Sequence, residues 1–415
     1  MNRKSPRILI LGTADTKEVE LSWMCDRIRT LNGTPIIMDV SVLGDTDLKV
    51  DYTKHDVAAA AGTDNQSIAS LGDENLAMTK TSEGATNLCA QLCAKRKVDG
   101  VIIIGGTMGT DLALTVCLAI PLGIPKVILS TVAFSHLIPP DRLSPDLIMM
   151  LWSGGLYGLN SICCSILSQA CGAVVGAALA SDEFKEPKNM IALSSLGKSA
   201  LTYMVTLKPL LDEKGFETIV FHTTGPGGRA LEKLASDKKV LFVLDLCLAE
   251  VANESRNSIV TSGGNRLESA GLSSIPQIVA PGGLGLVDVA TWQKLPDELS
   301  GRIYHAHNQL LASYTMSPDE MRELAKIIMA KLAKAKAPVK FILPLHGFIE
   351  WDREGMELHN PENVEAFCSE IRRSVRSPVE LIELDCHICD DSFCQEVLKQ
   401  VDNWIKSGII KNIHT

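Results

Sequence analysis

The sequence predicts an α/β protein with two Rossmann-like, doubly wound parallel-sheet domains in tandem. Three observations predict this fold: short apolar segments end in glycine turns, segments with helical spacing follow them, and a polar stretch divides two such series. Apolar strands that alternate with helices indicate a parallel sheet covered on both faces. The polar stretch covers residues 183–189, so we expect an N-terminal domain at residues 1–183 and a C-terminal domain at residues 190–415.

In the first half, strands are predicted where an apolar run precedes a turn. Helices are predicted where apolar residues recur every three or four positions, as at Leu21, Met24 and Ile28. The strands are expected at residues 7–11, 35–40, 98–104 and 126–131, and the helices at residues 17–31, 86–97 and 111–118. This order is that of a doubly wound sheet, in which ligands bind at the carboxyl ends of the strands.

The second half has the same alternation, although no detailed sequence repeat aligns the two halves. Strands are expected at residues 190–193, 215–221, 240–246, 277–280 and 340–343, and a helix at residues 199–214. The second domain is therefore predicted to be another α/β sheet.

Composition narrows the class of protein. Of the 415 residues, 46% are hydrophobic and 21% are charged, as in an ordinary globular protein. The net charge of -9, without a long Lys/Arg run, argues against nucleic-acid binding. The most apolar stretch, residues 162–180, is predicted to be a buried helix and not a membrane span. Because no export signal is visible, we expect a cytoplasmic protein whose twelve cysteines are free thiols.

Two glycine-containing loops directly follow predicted strands of the first half. They read GTADTK at residues 12–17 and GGTMGTD at residues 105–111. Glycine permits close approach of the backbone to a ligand, and amides at a helix start suit a phosphate. We therefore predict a nucleotide or another phosphorylated ligand at both loops. The predicted binding residues are Gly12, Thr13, Asp15, Thr16, Lys17, Gly105, Gly106, Thr107, Met108, Gly109 and Thr110.

Asp15 or Asp111 would hold Mg²⁺, directly or through water. The alternative for each loop is a tight strand-to-helix turn, in which Thr or Asp caps the helix. Neither the Walker A spacing nor GxGxxG is present, so a mononucleotide is favoured over a dinucleotide.

A third cluster, HTTGPGGR at residues 222–229, follows a predicted strand of the second half. His222 and Arg229 are candidate catalytic residues together with Glu250, and Arg229 could bind a carboxylate or phosphate through two hydrogen bonds. The alternative is a set of ordinary turns with a hydrogen-bonded histidine near the core.

Two further groups of residues raise the question of a metal. The histidines are His305, His307, His346 and His359, and no HExxH pattern accompanies them. A single CxxC motif lies in the second group, which comprises Cys386, His387, Cys389 and Cys394. Such a group can bind zinc, but without a second CxxC a strand leading into a capped helix is the alternative.

Taken together, these loops resemble the uncharacterised family of ATP-binding proteins whose named relative is the N-terminal domain of the tomato mosaic virus resistance protein. The resemblance extends from about Arg7 to about Val397. The segments that carry it are residues 12–17, 105–110, 123–131, 158–160, 221–230, 266–268 and 275–277.

The resemblance implies two Rossmann-like subdomains, ATP with Mg²⁺ in the first, and a homodimer. We expect Lys17 and the amides of residues 105–110 to hold phosphates. An ATP-dependent enzyme would then place His222, Arg229 and Glu250 towards an unidentified small acidic or carbonyl substrate in the interdomain cleft.

The sequence departs from the family pattern in the second half and at the domain junction. Gly155, Tyr314 and Cys389 stand where relatives usually carry Asp, Arg and Asn, and the usual Asp-Met-Val-Asn run is missing from residues 284–288. The first-half loops are intact. ATP binding is therefore expected to survive, while a non-catalytic interaction or regulatory module is the alternative to an enzyme.

Overall fold

The computed structural model describes residues 5–181, 189–294, 297–299 and 301–411. The chain divides into two compact units, Met1–Lys185 and Glu186–Thr415. Apart from Asn189, the predicted junction at residues 183–189 lies outside the described residues.

The N-terminal unit contains a five-stranded sheet in which all strands are parallel. Its strands are β1 (Arg7–Gly12), β2 (Thr34–Asp39), β3 (Gly100–Gly105), β4 (Lys126–Ser130) and β5 (Leu147–Leu151). Its helices are α1 (Ala14–Thr30), α2 (Lys54–Ala60), α3 (Asn65–Ala69), α4 (Glu74–Ala94), α5 (Thr107–Ala119) and α6 (Ser161–Ala180). The strand order is β2-β1-β3-β4-β5, so the chain reverses its direction of winding between β1 and β3. Ligands of doubly wound sheets bind at this point.

Apolar side chains alternate between the two faces of this sheet and form two cores. On one face, Ile8 and Ile10 pack with α1 and α6, and on the other, Leu9 and Leu11 pack with α4 and α5. Because both faces are covered, the predicted doubly wound fold is confirmed.

Helix α6 is long and apolar enough to cross a membrane by length and composition alone. Cys163, Leu167, Cys171 and Val174 on one side of it are fully buried in the core beneath the sheet. One side of helix α6 is therefore buried in the core, while other positions such as Ile162 are exposed.

The C-terminal unit contains a parallel sheet of six strands. Its strands are β6 (Met190–Ser195), β7 (Glu217–His222), β8 (Val243–Cys247), β9 (Gln277–Gly282), β13 (Val339–Pro344) and β14 (Val379–Leu384), in the order β14-β13-β9-β8-β6-β7. Its helices are α7 (Gly197–Glu213), α8 (Pro226–Ser236), α9 (Ala249–Ser255), α10 (Ser269–Leu272), α11 (Pro318–Leu332), α12 (Pro361–Ser374) and α13 (Asp391–Lys406). Helices α7 and α13 cover one face, while α9, α11 and α12 cover the other. The second α/β sheet is confirmed.

A small antiparallel sheet in this unit is not predicted by the sequence. Its strands are β10 (Leu286–Ala290), β11 (Tyr304–Ala306) and β12 (Leu311–Thr315), in the order β10-β12-β11. Polar residues such as Asp288 and Ser313 are buried within it, so the period-two apolar pattern of a strand is obscured.

Helix α4 begins twelve residues before the predicted start at residue 86, at Glu74. Apart from Met78, its buried face there carries small residues, and an added Cβ on Gly84 would lie 2.0 Å from the Val57 carbonyl oxygen in α2. Small side chains at a close helix contact give little apolar periodicity, which is why this part of the helix is missed.

Candidate functional site

A cavity of about 700 Å³ opens at the carboxyl ends of β1 and β3. All the residues predicted to bind the nucleotide line it except Gly12 and Thr110. Binding pockets for small molecules have volumes of roughly 300–1,000 Å³, so this cavity is large enough for one. The structure therefore brings the two glycine loops together at the winding reversal of the sheet.

In the first loop, the amides of residues 14–17 are already bound by the protein. The N–H groups of Ala14 and Asp15 donate to Asp39 Oδ1 at 3.0 Å and Ser41 Oγ at 3.1 Å. Those of Thr16 and Lys17 donate to the Thr13 carbonyl. Groups that can face a ligand are therefore the hydroxyls of Thr13 and Thr16, which lie 2.8 Å apart, and the Lys17 amine.

The second loop contributes backbone donors. Thr107, Met108 and Gly109 form the first turn of α5, and their N–H groups make no hydrogen bond within the described part of the chain. The first N–H groups of a helix have no partner inside the helix, and together with the helix dipole they attract anions. This turn therefore offers more unpaired backbone donors to an anion than residues 14–17 of the first loop do.

Gly12 and Thr110 belong to the two loops but make contacts within the protein and not with the cavity. An added Cβ on Gly12 would lie 3.0 Å from Leu21 Cδ2, so the position serves packing. The buried Thr110 hydroxyl donates to the Gly106 carbonyl at 2.7 Å and lies 2.7 Å from Ser130 Oγ. Both predicted residues lie outside the lining of the cavity.

Lys17 contacts a segment that the loop motifs do not reveal. Its amine donates to the Leu156 carbonyl at 2.5 Å and lies 4.8 Å from the centre of the Tyr157 ring. The same segment is tied to α1 by Gly158, whose N–H donates to the buried Glu20 carboxylate at 2.8 Å. Lys17 is thus held at the cavity by residues 156–158.

The two predicted magnesium ligands differ in their surroundings. Asp15 lines the cavity, and its Oδ2 accepts from Gly44 N–H at 3.1 Å while its buried Oδ1 has no hydrogen-bond partner. Asp111 lies outside the cavity lining and forms an ion pair with Arg142. The structure thus disfavours Asp111 as a ligand, because its carboxylate is already neutralised by a guanidinium, and leaves Asp15 available.

The apolar wall of the cavity comes from elements that the sequence does not single out. Val40, Val42 and Leu43 follow β2, while Ala77 and Met78 lie on α4. Apolar residues at these positions look like core residues in the sequence. Val40, Val42 and Leu43 carry one signal, their position after a strand of the same sheet, whereas Ala77 and Met78 on α4 carry none.

Glu250, a predicted catalytic residue, is fully buried and bound to the protein itself. Its Oε1 accepts from the N–H groups of Gly225 at 2.5 Å and Gly228 at 3.2 Å, and its Oε2 accepts from Arg266 Nε at 2.8 Å. The glutamate therefore occupies the start of α8. The prediction that Glu250 faces a substrate is wrong for this conformation.

Arg266 is the centre of a buried charge cluster with Glu250, Asp245 and Glu232. Burial raises the pKa of Glu232, although Arg266 opposes this shift. Burial itself lowers the pKa of Arg266, but the surrounding carboxylates raise it well above its ordinary value. The guanidinium thus remains charged and holds the loop before α8 in place.

His222 and Arg229 lie on either side of the loop that joins β7 to α8. Arg229 is 9% exposed, and its Nη1 donates to the Thr261 carbonyl at 3.0 Å. His222, at the end of β7, is exposed. An added Cβ on Gly227 would lie 1.8 Å from the His222 carbonyl oxygen, so the glycines here allow tight packing. The structure gathers the predicted residues, but it turns Arg229 and Glu250 towards protein atoms.

The cysteine-rich segment near the C-terminus has a structural explanation. His387 Nε2 lies 2.8 Å from Asp352 Oδ1, and its Nδ1 accepts from Cys389 N–H at 3.1 Å. Burial raises the pKa of Cys389 to about 12 and that of Cys394 to about 11, so both are thiols at neutral pH. Across the described residues, no three or more His, Cys, Asp or Glu side chains form a group that could hold a metal.

Comparison with known proteins identifies relatives along almost the whole chain. The N-terminal domain of the uncharacterised protein family UPF0261 matches residues 6–183, and its C-terminal domain matches residues 188–405. A UPF0261 protein of Brucella melitensis is 49% identical over 98% of this chain and 97% of its own length. The ToMV resistance protein Tm-1 of Solanum lycopersicum is 28% identical over 95% of this chain and 55% of its own length.

Among solved structures, a UDP-GlcNAc 2-epimerase from Neisseria meningitidis is similar over 66% of this chain and 82% of that one. The sequence identity is 11% and the TM-score is 0.24. A score this low gives no information about function.

Proposed function

The chain belongs to the uncharacterised protein family UPF0261, as the sequence motifs predicted, and from this premise we propose that it binds ATP on its N-terminal unit. The observation that carries the proposal is the cavity between β1 and β3, which both glycine loops line. It combines unpaired amides at the start of α5 with an apolar wall after β2 and on α4. A phosphate chain requires the first kind of surface, and a purine base can pack on the second.

Lys17 and Asp15 complete the proposed site. Lys17 leaves the Leu156 carbonyl when a phosphate is present, because a phosphate is a stronger partner for an ammonium group than a neutral carbonyl. Asp15 lines the cavity and its buried Oδ1 has no hydrogen-bond partner, so rotation of the side chain would present a carboxylate oxygen to Mg²⁺. Mg²⁺ often binds through one or two carboxylates together with phosphate oxygens and water, so one aspartate suffices.

We favour a non-catalytic nucleotide-binding module over an ATP-dependent enzyme acting on a small acidic or carbonyl substrate. The observation behind this choice is that Glu250 and Arg229 are engaged by the protein. Release of phosphate from ATP distinguishes the two. An enzyme that uses Arg229 would lose turnover in Arg229→Ala and keep its ATP affinity, whereas a binding module shows no turnover in either protein.

Calorimetric titration of Mg-ATP into the wild-type protein and a Gly106→Trp variant tests the proposal. An added Cβ on Gly106 has only Thr131 Oγ1 within 4 Å, at 3.8 Å. The Cβ of a tryptophan there therefore meets no clash, and its indole can project into the cavity. We expect a dissociation constant of about 1–100 μM for the wild type, in the range of metabolite affinities, and no binding by the variant.

Gly176→Trp is the matched control. Gly176 lies in α6, outside the cavity lining, and an added Cβ there meets no heavy atom within 4 Å. This variant should bind Mg-ATP like the wild type. Absence of heat and of a thermal shift with the wild type would reject ATP, and titration of other phosphorylated metabolites would then test that alternative.

The family resemblance also leads us to propose a cytoplasmic homodimer. Sedimentation of the purified protein should give twice the 44.8 kDa mass of the chain, and a monomer at micromolar concentration would contradict the dimer.

A further inference from the structure

A histidine pair lies in the small antiparallel sheet of the C-terminal unit. His305 belongs to β11, and His307 follows two positions later, so both side chains project from the same side of the extended chain. Their ring centroids are 4.7 Å apart. The Trp351 ring lies 4.6 Å from His305 and 5.6 Å from His307. The ring contacts alone describe an aromatic cluster. They do not explain why the polar residues Ser313 and Asp288 are linked to His307 by hydrogen bonds.

A buried chain of hydrogen bonds fixes the form of the His307 ring. The fully buried Ser313 hydroxyl donates to Asp288 Oδ1 at 2.5 Å, because a carboxylate can only accept. Ser313 Oγ must then accept from His307 Nε2–H, at 2.7 Å. The lone pair of the ring is left on Nδ1. Metal-binding histidines have this arrangement, in which the other ring nitrogen donates to a hydrogen-bonded network.

Asp288 is a buried carboxylate with neutral partners. It is 7% exposed, and its Oδ2 accepts from Asn253 Nδ2 at 3.1 Å. In the described ranges it forms no ion pair with a lysine, arginine or histidine. A buried negative charge is costly without a nearby positive charge. A cation bound at Nδ1 of His307 would supply a positive charge. The hydrogen bonds from His307 to Ser313 and from Ser313 to Asp288 would connect it to the buried carboxylate.

We propose that His305 and His307 bind a divalent transition-metal ion of the zinc class, with His307 coordinating through Nδ1. Zinc–nitrogen bonds of about 2.0–2.1 Å separate two ring centroids on one ion by about 4.5–5.5 Å, and the observed 4.7 Å lies in this range. His305 has no hydrogen bond to another described residue, so its ring nitrogens are available. The remaining positions of the ion are open to water or a further ligand. The site is independent of the proposed ATP site.

Titration of metal-free full-length protein with ZnCl₂, followed by calorimetry, tests the site. Absorption of bound Co²⁺ provides a second measurement of the same ligands. We expect one ion per chain in the wild type and an affinity at least about ten-fold lower in His305→Ala and in His307→Ala. Ser313→Ala should weaken binding about 10–100-fold, the usual effect of removing a partner of a metal-binding histidine. His307→Gln provides a polar substitute if the alanine variant fails to fold.

His346→Ala is the control for adventitious binding to surface histidines. His346 is 59% exposed in its side chain and pairs with Asp385 at 2.6 Å. This variant should bind Zn²⁺ like the wild type. The proposal is overturned if the wild type binds no Zn²⁺, if either His305→Ala or His307→Ala binds like the wild type, or if His346→Ala loses affinity equally.

Discussion

Gly105 and Gly106 are neighbours in the chain, yet their surroundings differ. An added Cβ on Gly105 would lie 2.6 Å from Gly109 Cα, while on Gly106 it would meet only Thr131 Oγ1 at 3.8 Å. The backbone of Gly106 has φ of −75°, which every residue type can adopt. Gly105 therefore allows the strand to pack on the start of α5, whereas Gly106 leaves space for a ligand.

Serine substitutions should separate these two roles. Gly105→Ser forces backbone apart and should lower the free energy of unfolding by about 1–3 kcal/mol. Gly106→Ser should change it by less than about 0.5 kcal/mol, because serine is a good residue at the start of a helix. Urea denaturation of both variants measures the difference. Equal losses of stability would show that Gly106 is also needed for packing.

The candidate site was predictable from the sequence only where backbone geometry leaves a residue signature. Gly106 and Lys17 were expected at a cavity because they follow strands of one parallel sheet, and both line it. Met78 could not, since a methionine on an apolar helix face is the same in a core and in a pocket wall. Glu250 was assigned wrongly because its sequence position does not reveal that Gly225 and Gly228 would bind its carboxylate.

At the scale of elements, the loop after β2 forms one wall of the cavity and is held by α2. Leu43 in this loop lines the cavity and is 75% exposed. Lys54, in the first turn of α2, donates to the Gly44 carbonyl at 2.8 Å and pairs with Asp45 at 2.8 Å. Lys54 is only 8% exposed. Its largely buried side chain thus fixes the loop through the contacts with Gly44 and Asp45.

Lys54→Met should loosen this loop and weaken nucleotide binding. Loss of about 0.5–1.5 kcal/mol per hydrogen bond corresponds to a roughly 2–10-fold higher dissociation constant for Mg-ATP. Hydrogen exchange of the amides at residues 42–46 should become faster, since local opening is easier. Lys80→Met removes an exposed ion pair with Glu83 on α4 and should change neither quantity. Unaltered exchange in Lys54→Met would contradict the role of the lysine.

The elements themselves were predictable where their apolar pattern is regular. The central strands β1, β3 and β8 are fully apolar or nearly so, because both faces of the sheet are covered. Strand β5 was missed although its sequence, LIMML, is apolar, since a proline-containing loop and no α-helix separates it from β4, so the strand–helix alternation does not predict it. Tertiary pairing with β4 determines its conformation.

At the scale of the whole molecule, the two units have the same order of their first five parallel strands. In each, the second strand is at the edge, the first lies beside it, and the third, fourth and fifth follow on the other side. The units nevertheless carry different candidate sites. All described residues that line the proposed ATP cavity belong to Met1–Lys185, and the histidine pair belongs to Glu186–Thr415. Each unit thus contains the residues of its own site.

A fragment of residues 1–185 should therefore fold alone and keep the nucleotide site. Its sheet is covered by helices on both faces, and a domain of about 150 residues buries roughly 68–70% of its surface on folding, enough for independent stability. We expect a single cooperative unfolding transition in calorimetry and a dissociation constant for Mg-ATP within about threefold of that of the full chain, because every described residue that lines the cavity belongs to the first unit. A fragment that unfolds without a transition would show that the first unit needs the second for stability. A folded fragment that fails to bind, beside a full chain that does, would show that residues beyond 185 complete the site.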